Sequence, residues 1–408
     1  MDVKVLRQSY DMITKIVRDG AYVNVVLADL PETSDRALIT KLVYGTIEKY
    51  YEINAIISNL CPKAPKPAVK IVMMQAIYAI LYLEIPNYAI VSASVDLVQA
   101  IGKKELKGFT NAVLQKVCRK EYVLPTSGKT ALEVKYNLPY PLIKAVKDDC
   151  GNNAEAVLNP PRTADEHVRL AVRSSAKEFE DFYKNFRVSM VGGYFVKNDD
   201  VIKRLFKRGL LTFQSPSSVF AVKALGDIKG KKLLDLCAAP GGKAVYSAEL
   251  GAEVTACDIH PKRVALIESY ARRMGVKLNA TYNDGKKHRA EWLNAYDVVT
   301  VDAPCSGLGV ISKRPDIALT YSNKDYSSLV AEQRAILEVA SNYVKSGGTL
   351  LYSTCTVLKA ENEDAVNDFL VKHQDFILEP FDMAPTGQVT LYPEGDFDGF
   401  YVAKMRKN

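Results

Sequence analysis

The chain has no Cys-x-x-Cys pair, and none of its four histidines is spaced to act with a cysteine. A zinc ribbon or a thioredoxin-type site therefore lacks its ligands. There is no run of the roughly 18 uncharged apolar residues that a membrane helix needs. The longest candidate, Ile71–Leu83, is thirteen residues and reads as a buried helix. The N-terminus lacks the basic-then-apolar layout of a secretory leader, because Asp2 and Asp11 interrupt it. Internal repeats and low-complexity stretches are missing as well. Charge is not lopsided either: 54 basic against 47 acidic residues leave a formal +7. That mild excess permits an anionic partner and excludes a histone-like tail. A cytoplasmic protein is expected, with no metal, no membrane contact and, by default, a monomeric state.

What is present is a chain of 408 residues, 48% hydrophobic and 25% charged. Such a profile belongs to a folded protein with real cores and excludes disorder throughout. The length exceeds one ordinary domain of roughly 100–200 residues, so two or three are expected. Seven cysteines, odd in number and widely spaced, suit reduced thiols in a reducing compartment. Most should be inert small hydrophobes.

Residues 1–125 carry helical periodicity only. Asp35 can cap a helix whose stripe is Leu38, Leu42, Ile47 and Tyr50 or Tyr51; Ile53, Ile56, Ile57 and Leu60 continue the spacing up to Pro62. Ala68–Leu83 is apolar almost all round, the mark of a helix at the centre of a bundle. Residues 126–215 read as a small α/β connector, with strands at Leu170–Val172 and Phe186–Met190 around a helix at Glu178–Tyr183. From 216 to 408, strands at Lys232–Cys237, Glu253–Asp258, Leu278–Tyr282, Asp297–Val301, Thr349–Ser353 and Phe400–Ala403 alternate with helical stretches such as Arg263–Met274 and Val330–Tyr343. That alternation predicts an α/β domain with a parallel, doubly wound sheet.

Chemistry-bearing residues fall at the ends of these strands, where open α/β sheets bind ligands. After the first comes Cys237-Ala238-Ala239-Pro240-Gly241-Gly242-Lys243, a glycine turn leading into a helix. Its glycines admit a ligand to the backbone, and the helix start favours negative charge. It is neither a dinucleotide fingerprint nor a phosphate-binding Walker loop. Asp258 ends the second strand, 23 residues after Asp235, suited to ribose hydroxyls or to capping the helix before Pro261. Asp284 follows the third strand and can accept from an adenine amino group or simply make a turn. Asp302-Ala-Pro-Cys305 closes the fourth, an acid and a thiol on a loop stiffened by Pro304. Ser353-Thr-Cys355-Thr brings a second thiol to the same edge. Two such cysteines could form a disulfide, a metal pair or a catalytic pair. Compartment disfavours the first and the lack of further ligands the second.

Together these segments resemble the S-adenosylmethionine-dependent RNA cytosine-C5 methyltransferases of the Sun/Fmu family. The resemblance rests on Leu236–Lys243, on Asp302–Gly307 with Arg314-Pro-Asp-Ile317 behind it, on Thr354-Cys-Thr356 followed by Glu361-Asn-Glu363, and on the ending Asp398–Lys404. Asp35–Leu38, Leu42–Gly45 and Gly108–Leu114 resemble the NusB-like domain carried by bacterial members that act on 16S ribosomal RNA. Two departures stand out: Arg173-Ser-Ser175 replaces the family's Arg-x-Asn, and Thr356 stands where serine is usual.

The resemblance implies a Rossmann-like, class I methyltransferase fold with a mostly parallel seven-stranded sheet. It implies S-adenosylmethionine held by Cys237–Lys243, Asp258, Asp284 and Asp302. It implies Cys355 as the nucleophile that adds to C6 of cytosine, making C5 reactive toward the methyl group. Cys305 would assist loss of the C5 proton and release of the enzyme, and Asp302 would hydrogen-bond the base and, when protonated, stabilise the adduct. A free thiol needs help to ionise near neutrality, and Lys243 is a candidate source of positive potential. The expected substrate is 16S ribosomal RNA, with the target base in a loop or flipped out. The basic run Lys203, Arg204, Lys207 and Arg208, with Phe206 inside it, suits phosphates and stacking, or a solvated helix face. Alternatives are a transfer-RNA or other-site enzyme of the same chemistry, an inactive NusB-like assembly factor, and an amino-group methyltransferase. Cys237 and Cys257 read as packing residues; Cys61, Cys118 and Cys150 carry no role.

Overall fold

The computed structural model describes residues 1–28, 30–31, 34–161, 165–322 and 326–408. By their contacts these form two compact units, Met1–Asp148 with Ile311–Lys324, and Asp149–Val310 with Asp325–Asn408.

The first unit is helical. Its centre is the helix Pro67–Tyr82, which buries residues on every side, among them Val69, Val72, Met73 and Ile77. An apolar circumference leaves such a helix no stable place but the middle of a bundle. Around it lie Val3–Asp19, Arg36–Glu48, Tyr50–Leu60, Asn87–Ala100 and Lys107–Cys118. Gln75 is buried in this core, and its amide group is paired with Ser9 Oγ at 2.7 Å and Leu6 O at 3.1 Å. Asp35 occupies the N-cap position of Arg36–Glu48 but makes no capping bond through its side chain. The stripe from Leu38 to Leu60 is not one helix: the chain leaves helical geometry at Lys49 and resumes at Tyr50.

The expected boundary at residue 125 falls too early. Helix Gly128–Tyr136 belongs to the bundle, and Asn137, which follows it, accepts from Tyr51 N at 3.0 Å and donates to Ile47 O at 3.1 Å. Residues 311–322 also join this unit, with Leu319 in its core and Tyr44 donating to Lys313 O at 2.5 Å. The expected connector and methyltransferase domain do not separate, because they share one compact unit from Asp149 onward.

That second unit holds two sheets. The smaller is antiparallel in the order β2-β3-β1-β4, from β1 (Glu166–Leu170), β2 (Phe186–Val188), β3 (Tyr194–Val196) and β4 (Leu211–Phe213). The expected strand at 170–172 is displaced toward β1, and β3 and β4 were not anticipated. Three-residue strands are too short to show alternation. A buried ion pair joins this sheet to the larger one's first helix: Arg169 meets Glu249 at 2.6 Å and lies 4.0 Å over the Tyr246 ring.

The larger sheet contains β5 (Lys232–Asp235), β6 (Glu253–Asp258), β7 (Asn279–Tyr282), β8 (Tyr296–Asp302), β9 (Val344–Thr354), β10 (Phe376–Leu378), β11 (Gln388–Leu391) and β12 (Phe400–Lys407). Its order is β10-β12-β9-β8-β5-β6-β7, with β11 beside β12. The five strands from β7 to β9 are parallel and β12 runs against β9. β10 and β11 share the far edge of β12 end to end, so eight strands fill seven positions. Strands buried on both faces read as unbroken apolar runs, which is why β8 shows Val298, Val299 and Val301 rather than alternation. Chain order and strand order reverse between β5 and β8, which opens a crevice at their carboxyl ends.

One packing contact in the bundle gives a prediction. A Cβ on Gly45 would lie 1.9 Å from the ring of Tyr78, whereas one on Gly108 would meet nothing within 4 Å. Gly45→Ala should destabilise the helical unit by about 1–3 kcal/mol through overpacking. Gly108→Ala should stabilise it by about 0.5–1 kcal/mol, since it only restricts the unfolded chain. Urea unfolding followed by helical circular dichroism would show the two midpoints moving in opposite directions.

Candidate active site

β5 ends at Asp235, and the turn that follows is tight. Gly241 has φ +111°, a conformation that a side-chain-bearing residue rarely adopts. Gly242 then begins the helix Gly242–Glu249. Arg263 ties the turn to the next crossover helix by donating to Ala239 O at 2.9 Å.

At the end of β8, Asp302 is held on both oxygens. Lys243 Nζ lies 2.6 Å from Oδ2 and Ser353 Oγ donates to Oδ1 at 2.9 Å. The register pairs Asp302 with Ser353 directly, so the bond is a product of β8 and β9 lying side by side. Burial works to lower the pKa of Lys243, but the Asp302 carboxylate overrides it and leaves the ammonium above its ordinary value. Asp235 sits fully buried beneath. Burial first, and the charge of Asp302 second, push its pKa up to about 7.

The two thiols meet. Cys305 Sγ and Cys355 Sγ are 3.1 Å apart, and both are free and partly exposed. The hydrogen bond to Cys355, then burial, holds Cys305 well above the ordinary thiol value. Of the three earlier possibilities the disulfide is absent. Among the described residues no cluster of three or more His, Cys, Asp or Glu is placed to hold a metal ion.

The loops that carry these thiols are fixed by groups to which the sequence assigned no role. Gly309 N donates to Cys355 O at 3.0 Å. Gly309 and Gly399 touch backbone to backbone, and a Cβ on Gly309 would lie 1.8 Å from Gly399 O. Glu361, Gln333, Ser306 and Thr356 form a buried hydrogen-bonded cluster behind both cysteines. Ser306, Thr356 and Glu361 lay in segments that carry the family resemblance, without a role of their own; Gln333 had no sequence signal.

The other expected residues are dispersed along the same edge. Asp258 is buried at the end of β6, accepting from His260 N at 3.0 Å, with Arg263 at 3.4 Å. It is not the N-cap of the helix Pro261–Met274; His260 is. Asp284 closes a turn by accepting from Lys286 N at 3.1 Å. Burial raises the pKa of Cys237 well above the ordinary value and that of Cys257 to about 12, as suits packing thiols. A cavity of about 560 Å³ opens at the opposite, amino-terminal ends of the strands, where Lys232, Glu253, Trp292 and Tyr296 line it; none of the expected site residues does.

Farther away, Lys203, Arg204, Lys207 and Arg208 share the exposed face of the helix Asp200–Lys207. Phe206 is partly buried by its neighbours. It packs 5.4 Å from Phe213, and Arg273 covers its ring at 3.8 Å. Arg173 is likewise engaged, donating to Gly209 O at 2.8 Å and to Met274 O. Arg314-Pro-Asp-Ile317 belongs to the helical unit, where Arg314 lies 4.7 Å over the Tyr22 ring.

Comparison with known proteins bears on this arrangement. Residues 222–406 match the family described as 16S rRNA methyltransferase RsmB/F, and residues 5–119 match the NusB family. The chain is 30% identical to the probable ribosomal RNA small subunit methyltransferase B of Bacillus subtilis (strain 168), covering 97% of each. The chain belongs to the RsmB/F family. A ribosomal RNA small subunit methyltransferase B from Serratia proteamaculans (strain 568) is 28% identical over 97% of this chain and 96% of its own. The RsmB/F fold is shared with the solved structure of PH0851, at a TM-score of 0.82 and 23% identity over 100% of this chain and 99% of that one. It is also shared with NSun6 from Pyrococcus horikoshii, at a TM-score of 0.58 and 20% identity, covering 66% of this chain and 98% of that one. The NusB match covers only the helical unit, which agrees with that unit's separate core.

The buried acid sets a pH dependence. Asp235 holds its proton up to about pH 7 in the folded protein and only to about pH 4 unfolded. Stability linked to it is therefore complete below pH 4 and is lost as pH rises toward 7. Asp235→Asn should remove that loss. It should leave stability at pH 4 nearly unchanged and raise it at pH 8 by a few kcal/mol, at about 1.4 per unit. Denaturant titrations at the two pH values measure the difference.

Proposed function

We propose that the chain transfers a methyl group from S-adenosylmethionine to C5 of a cytosine in small-subunit ribosomal RNA. The observation that carries the reading is the pair of free thiols 3.1 Å apart, at the carboxyl edge of the sheet and on the loops after β8 and β9.

The cofactor's requirements suit the residues present. The glycine turn, with its left-handed Gly241, offers open backbone at a helix start. The acids Asp258 and Asp284, at the ends of β6 and β7, suit hydroxyl and amino groups of an adenosine. S-adenosylmethionine supplies, when bound, an electrophilic methyl group on a sulfonium.

The chain's own part is to make C5 of cytosine a nucleophile. The Cys355 sulfur adds to C6, and the electron pair of the C5–C6 bond moves to C5. Lys243 contributes positive potential toward Cys355 and keeps Asp302 oriented to accept from the base edge. Once C5 carries the methyl group, its proton must leave. The Cys305 thiol is kept protonated chiefly by its hydrogen bond to Cys355. When the Cys355 sulfur is bonded to carbon, that hold is lost; Cys305, partly exposed, releases its own proton to water and as thiolate takes the C5 proton. The electron pair of the C5–H bond then restores the double bond, and Cys355 leaves as thiolate. The exposed face of Lys203, Arg204, Lys207 and Arg208 supplies phosphate contacts.

The test is transfer of labelled methyl to unmodified small-subunit ribosomal RNA, with transfer RNA in parallel. Wild type should label the ribosomal RNA. Cys355→Ala should lose at least about a thousandfold in rate, as for removal of a nucleophile. Cys305→Ala should accumulate a protein–RNA adduct on a denaturing gel. Labelling of transfer RNA alone would overturn the substrate, and no labelling of any RNA would leave an assembly factor.

A further inference from the structure

Glu361 lies in the short turn after β9, and its side chain has no exposed surface. Burying a carboxylate is costly unless its oxygens are paired. Here each is. Oε2 accepts from Ser306 N at 2.8 Å and from Gln333 Nε2 at 2.8 Å. Oε1 accepts from Ser306 Oγ at 2.5 Å and from Thr356 Oγ1 at 3.2 Å. The Ser306 and Thr356 hydroxyls are themselves 2.7 Å apart.

The placement of these donors is informative. Ser306 directly follows Cys305, and Thr356 directly follows Cys355. Gln333 also donates to Pro304 O at 2.9 Å, so Cys305 is pinned by its neighbours on both sides. Tyr352 fixes the other end by donating to Glu361 O at 2.7 Å. One carboxylate thus spans the two loops that carry the thiols.

We propose that Glu361 is the positioning residue that sets the approach of Cys305 to Cys355 and decides which of the two reacts as nucleophile. The inference rests on the two-thiol reading above. Glu361 touches neither sulfur by hydrogen bond, and acts through Ser306 and Thr356. Its negative charge is one of the groups that keep Cys305 protonated. The same clamp therefore holds the pair together and makes it asymmetric, with Cys355 free to attack and Cys305 held as a thiol.

The experiment is alkylation of the full-length protein by iodoacetamide between pH 6 and 9, without RNA, with the two cysteines followed by peptide mass spectrometry. In wild type Cys355 should react first. Glu361→Gln keeps the span and removes the charge, so the ratio of Cys305 to Cys355 alkylation should rise about tenfold, the change expected from one unit in thiol pKa. Ser306→Ala removes one hydroxyl from the clamp and should raise the ratio in the same direction but less, which keeps the test open if Glu361→Gln folds poorly. Methyl transfer by Glu361→Gln should fall in kcat, with KM for RNA and the dissociation constant of S-adenosylhomocysteine within about twofold of wild type. An unchanged alkylation ratio in both variants, with only a lower melting temperature, would overturn the proposal and leave Glu361 a structural residue. Cys355→Ala that still methylates would instead overturn the two-thiol reading, whatever the alkylation ratio.

Discussion

The parallel pairing of β8 with β9 is the constraint on which the site depends. Its register sets Asp302 opposite Ser353, so the loops that leave the two strands start side by side. Cys305 comes three residues after Asp302, and Cys355 two after Ser353. Their 3.1 Å approach follows from that start and from the backbone contact of Gly309 with Gly399. A slip of one residue would turn Ser353 away from Asp302 and part the thiols.

Charge is arranged around this pairing in depth. Asp235 lies buried below, Asp302 at the surface of the crevice, and Lys243 is bonded to Asp302. A single ammonium therefore faces two carboxyl groups. The consequences fall in opposite directions, since Lys243 is held as a cation while Asp235 is driven toward its neutral acid. A site with one net carboxylate and one cation is less costly to bury than one with two carboxylates. Glu361 does similar work on the other side of the thiols, where four donors balance its burial.

Much of this was legible in the sequence, for physical reasons. Continuous apolar strands alternating with helices announced the parallel sheet, and the glycine turn, the acids and the two cysteines all fell at strand ends. Ala68–Leu83 declared itself central by having no polar face. What escaped was information carried by tertiary contacts. Tripeptide strands such as β3 and β4 show no period. The break at Lys49 is invisible because Ile47, Tyr50, Ile53 and Ile57 keep spacings of three and four across it. Phe206 lies within a basic run and looks free, until Phe213 and Arg273 are seen to pack against its ring. Residues 311–322 sit in sequence between β8 and β9 but belong to the helical unit, which no local pattern can reveal. Glu361 reads as one acid in an acidic turn, and its burial is known only when Ser306, Gln333 and Thr356 converge on it.

The central claim is that Cys355, and not Cys305, bonds to the base. The most direct measurement is to incubate the protein with S-adenosylmethionine and ribosomal RNA containing 5-fluorocytidine, whose C5–F bond cannot lose a proton. The adduct should then persist and can be mapped by tandem mass spectrometry after protease and nuclease digestion. The account predicts one modified nucleotide on the peptide bearing Cys355, with Cys305 unmodified. A nucleotide on Cys305, or methylation with no adduct on either thiol, would contradict it.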